Sequence, residues 1–119
     1  MANGWLTTHV LDTARGVPAE GISITLYGLS GDSYTRLVTM VTNQDGRTDS
    51  PILPKEKFTT GQYELVFAAG DYLRKHKIAG ADPLFLDAIP IRFGINDEDS
   101  HYHVPLLLSP FGYSTYRGS

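Results

Sequence analysis

No cysteine occurs among the 119 residues, which closes off a disulfide framework and any thiolate zinc site. A fold that needs no disulfide suits a reducing compartment, and the cytoplasm is the expected location. Charge is also scarce: charged residues make up 19% of the chain and the formal net charge is -3. That leaves no basic footprint for nucleic acid and no polybasic patch for a membrane surface. No apolar run approaches the ~20 residues that a membrane helix needs. The opening Met-Ala-Asn-Gly-Trp has neither the charged nor the long apolar region of a secretory signal. The closing Arg117-Gly118-Ser119 is not a peroxisomal address. Internal repeats, low-complexity tracts, a phosphate-cradling glycine loop and a Gly-X-Ser-X-Gly elbow are all missing.

What is present is alternation, punctuated by turn residues. A hydrophobic content of 41% is that of a globular chain, and the length predicts a single domain over residues 1–119. Leu6 to Leu11 is rich in apolar and β-branched residues and stops at Asp12, before the Ala14-Arg15-Gly16-Val17-Pro18 turn region. Ile22 to Tyr27 alternates with period two, as a half-buried strand should. Leu37 to Thr42 predicts a third strand, closed by Asn43-Gln44-Asp45-Gly46, and Arg47 to Asp49 a short edge strand. Gln62 to Phe67 alternates again. Asp71 to His76 is the single plausible helix, with Asp71 as candidate N-cap. Phe85 to Ile95 carries a strand whose Pro90 points to a sheet edge or a bulge. His101 to Ser109 and Gly112 to Arg117 supply two more. Seven or eight short strands and one short helix predict an all-β, antiparallel sandwich.

Two of these strands carry histidine. His9 shares a face with Thr7 and Leu11, while Leu6, Thr8 and Val10 point the other way. His101 and His103 share a face with Pro105 and Leu107, opposite Val104, Leu106 and Leu108. Strands apolar on both sides commonly bury one face in the domain core and the other in an interface. The histidines would then face a groove or channel between subunits. A lone strand histidine is more often structural than catalytic, and His-X-His also invites a metal reading. No carboxylate cluster at ligand spacing completes such a site, and Asp97-Glu98-Asp99 reads as a solvated loop, so neither metal nor cofactor is expected. His76, among Arg74, Lys75 and Lys77, reads as surface.

Longer motifs carry a family resemblance. Leu6-Thr7-Thr8-His9-Val10-Leu11-Asp12, followed by Gly16-Val17-Pro18-Ala19, resembles the N-terminal signature of the transthyretin family. His101-Tyr102-His103-Val104-Pro105-Leu106-Leu107-Leu108-Ser109-Pro110, then Tyr113-Ser114-Thr115, resembles its C-terminal signature. The closing Tyr116-Arg117-Gly118-Ser119 is similar to the tetrapeptide that marks the hydroxyisourate hydrolase branch. The likeness spans essentially the whole chain, and the set of that branch is complete here: His9, Arg47, His103 and residues Tyr116 to Ser119.

The resemblance implies a transthyretin-like sandwich and a homotetramer, a dimer of dimers around a central channel lined by the first strand and the last two. It implies hydrolytic opening of 5-hydroxyisourate to 2-oxo-4-hydroxy-4-carboxy-5-ureidoimidazoline in urate breakdown. His9 and His103 would move protons and orient water, and Arg47 would bind substrate oxygens with a planar, permanent charge. Tyr116, Arg117, Gly118 and Ser119 would wall and close the pocket, and His101 receives no role. A rival reading is a non-enzymatic carrier of a small aromatic ligand, for which two histidines and an arginine are a poor lining.

Overall fold

The computed structural model describes residues 3–78 and 80–118. Eight strands, one α-helix and a 3-10 turn at Lys55–Lys57 are found among them: β1 (Trp5–Asp12), β2 (Val17–Pro18), β3 (Ser23–Ser30), β4 (Ser33–Val41), β5 (Gly61–Ala68), α1 (Ala69–Lys75), β6 (Ala88–Ile95), β7 (His101–Ser109) and β8 (Gly112–Thr115). They form two four-stranded sheets, ordered β2-β1-β7-β8 and β4-β3-β5-β6. Inward-facing residues of both sheets fill the space between them. Leu6, Val10, Leu106 and Leu108 from one meet Ile24, Leu26, Leu65 and Phe67 from the other, all fully buried. The sandwich expected from alternation is therefore the observed architecture.

One ladder departs from the antiparallel rule. β1 pairs with β7 in parallel, Trp5 beside His101 through Asp12 beside Leu108, while the other ladders are antiparallel. A parallel neighbour requires a long crossover, and here the chain builds the entire second sheet between the two strands. β6 lies at the edge of its sheet with Pro90 opposite Val66, the placement its missing N–H predicts.

Other boundaries shift for physical reasons. α1 begins at Ala69, not at the expected Asp71, and the residue before it, Ala68, makes no side-chain cap. Its buried face, Ala69, Gly70, Tyr72 and Leu73, holds it against the sandwich instead. Arg47 to Asp49 forms no strand, only a single bridge from Arg47 to His9. His76 is half-buried rather than at the surface, its ring 4.5 Å from that of Tyr72.

The end of β1 is pinned to α1 by a buried carboxylate. Asp12 accepts hydrogen bonds from the Arg15 backbone N–H (3.0 Å), from Arg15 Nε (2.9 Å) and from the Tyr72 hydroxyl (2.7 Å). Burial acts to raise its pKa, but these donors outweigh burial and hold the carboxyl below its ordinary range. No helix among the described residues is long and apolar enough to cross a membrane.

Candidate active site

The parallel register of β1 and β7 sets the geometry of the histidines. Trp5, Thr7 and His9 lie beside His101, His103 and Pro105 on the face turned away from the core. His9 Nδ1 and His103 Nε2 are hydrogen-bonded at 2.7 Å, with the ring centroids 4.9 Å apart and the two planes 17° from parallel. His103 Nδ1 is in turn bonded to Thr7 Oγ1 at 2.7 Å, and that oxygen is 2.6 Å from His101 Nε2. The Trp5 ring stacks on His101 at 4.3 Å, the two planes nearly parallel. Three imidazoles and one hydroxyl thus form a continuous hydrogen-bonded chain across two strands.

Local electrostatics keeps these rings neutral at neutral pH. His103 is only 8% exposed, and burial, followed by the positive fields of His9, Arg47 and His101, pushes its pKa down to about 4. Burial and then Arg47 lower His9, and burial lowers His101. A neutral imidazole has one donor and one acceptor nitrogen, so it can take up or pass on a proton.

Arg47 arrives through a tight turn. The Asn43 side chain accepts from the backbone N–H of Asp45 (2.8 Å) and of Arg47 (3.3 Å), and Gly46 N–H donates to the Asn43 carbonyl (2.9 Å). Gly46 has φ +74, and a Cβ there would lie 2.4 Å from the Val10 carbonyl oxygen. Only glycine meets both demands. Val10 N–H then donates to Gly46 C=O at 2.8 Å, and Arg47 bridges to His9. The guanidinium is exposed, yet its charge reaches both His9 and His103.

After Thr115 the chain continues beside β7 in the register that β8 sets. Gly118 bridges to His103, its N–H donating to the His103 carbonyl at 2.7 Å. Opposite Pro105 the ladder has no N–H to use, and β8 ends there. Gly118 is not in the left-handed region; glycine is needed because a Cβ would sit 2.8 Å from His103 Cδ2. Glycine at 118 thus serves a close approach to the His103 ring and not a turn. Alternation turns Tyr116, 59% exposed, toward the histidine face and Arg117 away from it. The Arg117 guanidinium lies 4.0 Å over the Tyr102 ring, on the core face of β7.

Of the residues singled out in sequence, the fold brings together His9, His103, Arg47 and Gly118, with Tyr116 on the same face. Arg117 is not brought to the histidines within the chain, and Ser119 lies outside the described residues. Thr7 and Gly46 were not singled out. Alternation already put Thr7 on the face of His9, and the Asp45-Gly46 pair already marked a turn, so both left a signal. A cleft of about 250 Å³ between β6 and β8, bordered by Phe93, Tyr102, Val104 and Arg117, is distinct from the histidine face. Among the described residues no three His, Cys, Asp or Glu side chains group to hold a metal ion.

Comparison with known proteins gives the family. The HIUase/Transthyretin family model matches residues 6–118. 5-Hydroxyisourate hydrolase 2 of Rhizobium meliloti is 61% identical over 117 residues, 98% of either chain. Among solved structures, a crystal structure of (S)-allantoin synthase superposes with a TM-score of 0.93 at 48% identity, covering 99% of this chain and 44% of that one. Sea bream transthyretin in complex with thyroxine gives 0.85 at 26% identity, covering 95% of this chain and 93% of that one.

Proposed function

The chain belongs to the HIUase/transthyretin family, and on that footing we propose that it hydrolyses 5-hydroxyisourate in urate catabolism. The enzyme opens the six-membered ring to give 2-oxo-4-hydroxy-4-carboxy-5-ureidoimidazoline. The observation that carries this reading is the 2.7 Å bond between His9 Nδ1 and His103 Nε2, with Arg47 bridged to His9.

Ring opening forms a bond from water oxygen to a ring carbonyl carbon and breaks that carbon's bond to nitrogen. The water must lose a proton, the carbonyl oxygen gains negative charge, and the leaving nitrogen needs a proton. His9 and His103, neutral and in contact, orient the water, accept its proton and return one to the nitrogen. Arg47 supplies fixed charge and planar donors for the substrate oxygens. Tyr116 and Gly118 wall the site beside His103. Arg117 serves it by anchoring the tail through Tyr102, and Ser119 contributes to substrate binding.

In one chain the histidines lie on an open sheet face, so the walls of a pocket must come from further copies. A homotetramer, a dimer of dimers with the two-histidine face toward a central channel, provides them. The uncovered aromatic side chains of Phe111, Tyr113 and Tyr116 along the β7–β8 hairpin support such an assembly. A cytoplasmic setting fits a chain whose stability draws on no disulfide.

The direct test generates 5-hydroxyisourate with urate oxidase and follows its ultraviolet decay with and without the protein. Faster decay, abolished in a His9→Asn and His103→Asn double variant, is expected. Decay at the spontaneous rate with the folded wild-type protein would sink the reading.

A further inference from the structure

We infer that Thr7 and His101 are positioning residues of the reacting site. Through the Thr7 hydroxyl, His101 selects the tautomer of His103, and through it which nitrogen of His9 is left free to accept a proton. The catalytic half of this inference rests on the hydrolase reading above; the coupling itself is a property of the free protein.

Thr7 Oγ1 carries a single hydrogen, yet it lies at hydrogen-bond distance from two ring nitrogens, His103 Nδ1 at 2.7 Å and His101 Nε2 at 2.6 Å. It can donate to one only. With the rings neutral, two fully bonded arrangements exist. In the first, His9 Nδ1–H donates to His103 Nε2, His103 Nδ1–H donates to Thr7, and Thr7 donates to His101 Nε2. In the second every bond points the other way. The first leaves His9 Nε2 as a bare lone pair, able to act as a base. The second puts a proton there and removes that capacity.

One feature favours the first arrangement, and a second keeps its far end in reach. Arg47 stands beside His9, and a nearby guanidinium attracts a lone pair and repels an N–H. His101 is held flat against Trp5, which keeps its Nε2 at 2.6 Å from the Thr7 oxygen, in reach of that hydroxyl's single proton. The charged or titratable groups facing His103 are His9 from β1, Arg47 from the turn and His101 from its own strand. Among the described residues, the tail adds the uncharged Gly118 N–H, which donates to the His103 carbonyl.

Removing the hydroxyl leaves His103 Nδ1–H buried without an acceptor, a costly state. The ring then moves its proton to Nε2, donates to His9 Nδ1 and drives the His9 proton onto Nε2. Removing the His101 acceptor frees Thr7 to donate to His103 Nδ1 and pushes the pair the same way.

The experiment reads nitrogen chemical shifts of isotope-labelled imidazoles in the folded, ligand-free protein at neutral pH, alongside steady-state kinetics. Wild type should show the proton on Nδ1 of His9, His103 and His101. Thr7→Val, which keeps the β-branched shape, and His101→Phe, which keeps a ring for Trp5, should both move His103 and His9 toward the Nε2–H form. In both, kcat should fall roughly tenfold or more with KM little changed, and Thr7→Ser should restore shifts and rate. Unchanged His103 and His9 tautomers in Thr7→Val and His101→Phe would overturn the coupling. Lost activity with unchanged tautomers and no rescue by serine would leave Thr7 a structural residue only, which also overturns it. Absence of hydrolysis by the wild type would instead fail the hydrolase reading, while the spectra still decide the coupling.

Discussion

At the scale of single residues, the consequences of the site follow from proton uptake. His9→Asn or His103→Asn keeps a polar, planar side chain but cannot carry a proton, so turnover should fall about a hundredfold or more. Both side chains lie on the outward face of their sheet, and circular dichroism should show both variants folded. Near-native turnover in both would refute their assignment. His103 also bears on acid stability. Its pKa in the folded protein, about 4, lies below the ordinary 6.5, so the unfolded chain binds the proton more readily. The stabilising contribution is complete above about pH 6.5 and is lost as pH falls toward about 4. Denaturant titrations across that window should show stability declining on acidification, by up to about 1.4 kcal/mol per pH unit for one such proton. His103→Asn should flatten the decline, and an identical slope in the variant would show that His103 is not its source.

At the scale of elements, the site is the product of one ladder and two short segments lying against it. The strand faces were legible in the sequence, because apolar residues at alternate positions leave little choice about which side meets the core. Leu6, Thr8 and Val10 went inward and Thr7 and His9 outward as period two requires. The direction of pairing was not legible: nothing local in Trp5–Asp12 says that its neighbour is ninety-odd residues away and parallel. Nor was the start of α1, which is settled by burial of Tyr72 and Leu73 rather than by a cap. The tail shows how a motif can be noticed and its mechanics misjudged. Gly118 is needed for its nearness to His103 and not for a turn, and Arg117 grips Tyr102 instead of facing the histidines. Deleting Tyr116 to Ser119 removes the Gly118 bond to the His103 carbonyl and the wall beside its ring. Catalysis should be crippled while the sandwich stays folded, which rates and circular dichroism together would show. Native turnover in a folded truncation would remove the tail from the site.

For the whole molecule, the question is what encloses an open sheet face. Composition gave the broad class, and alternation gave a second apolar face, but partners leave no trace in a single chain beyond uncovered side chains. We expect a tetramer at micromolar concentration by light scattering. A fully active, stable monomer would contradict the channel. The order of assembly has its own consequence. The hydrogen bond between His9 and His103 joins residues 94 apart in sequence, and the β1–β7 ladder can zip only after that closure. Sheets dominated by distant partners fold slowly, because chain entropy is lost before pairing repays it. On a growing chain, β1 is synthesised before the whole of the opposite sheet and waits, one edge unpaired, until β7 emerges. Throughout that interval it is a sticky ribbon, open to a wrong neighbour or a chaperone. Recovery of activity after dilution from denaturant therefore marks the meeting of distant strands, a later event than the local β3–β4 hairpin of the opposite sheet.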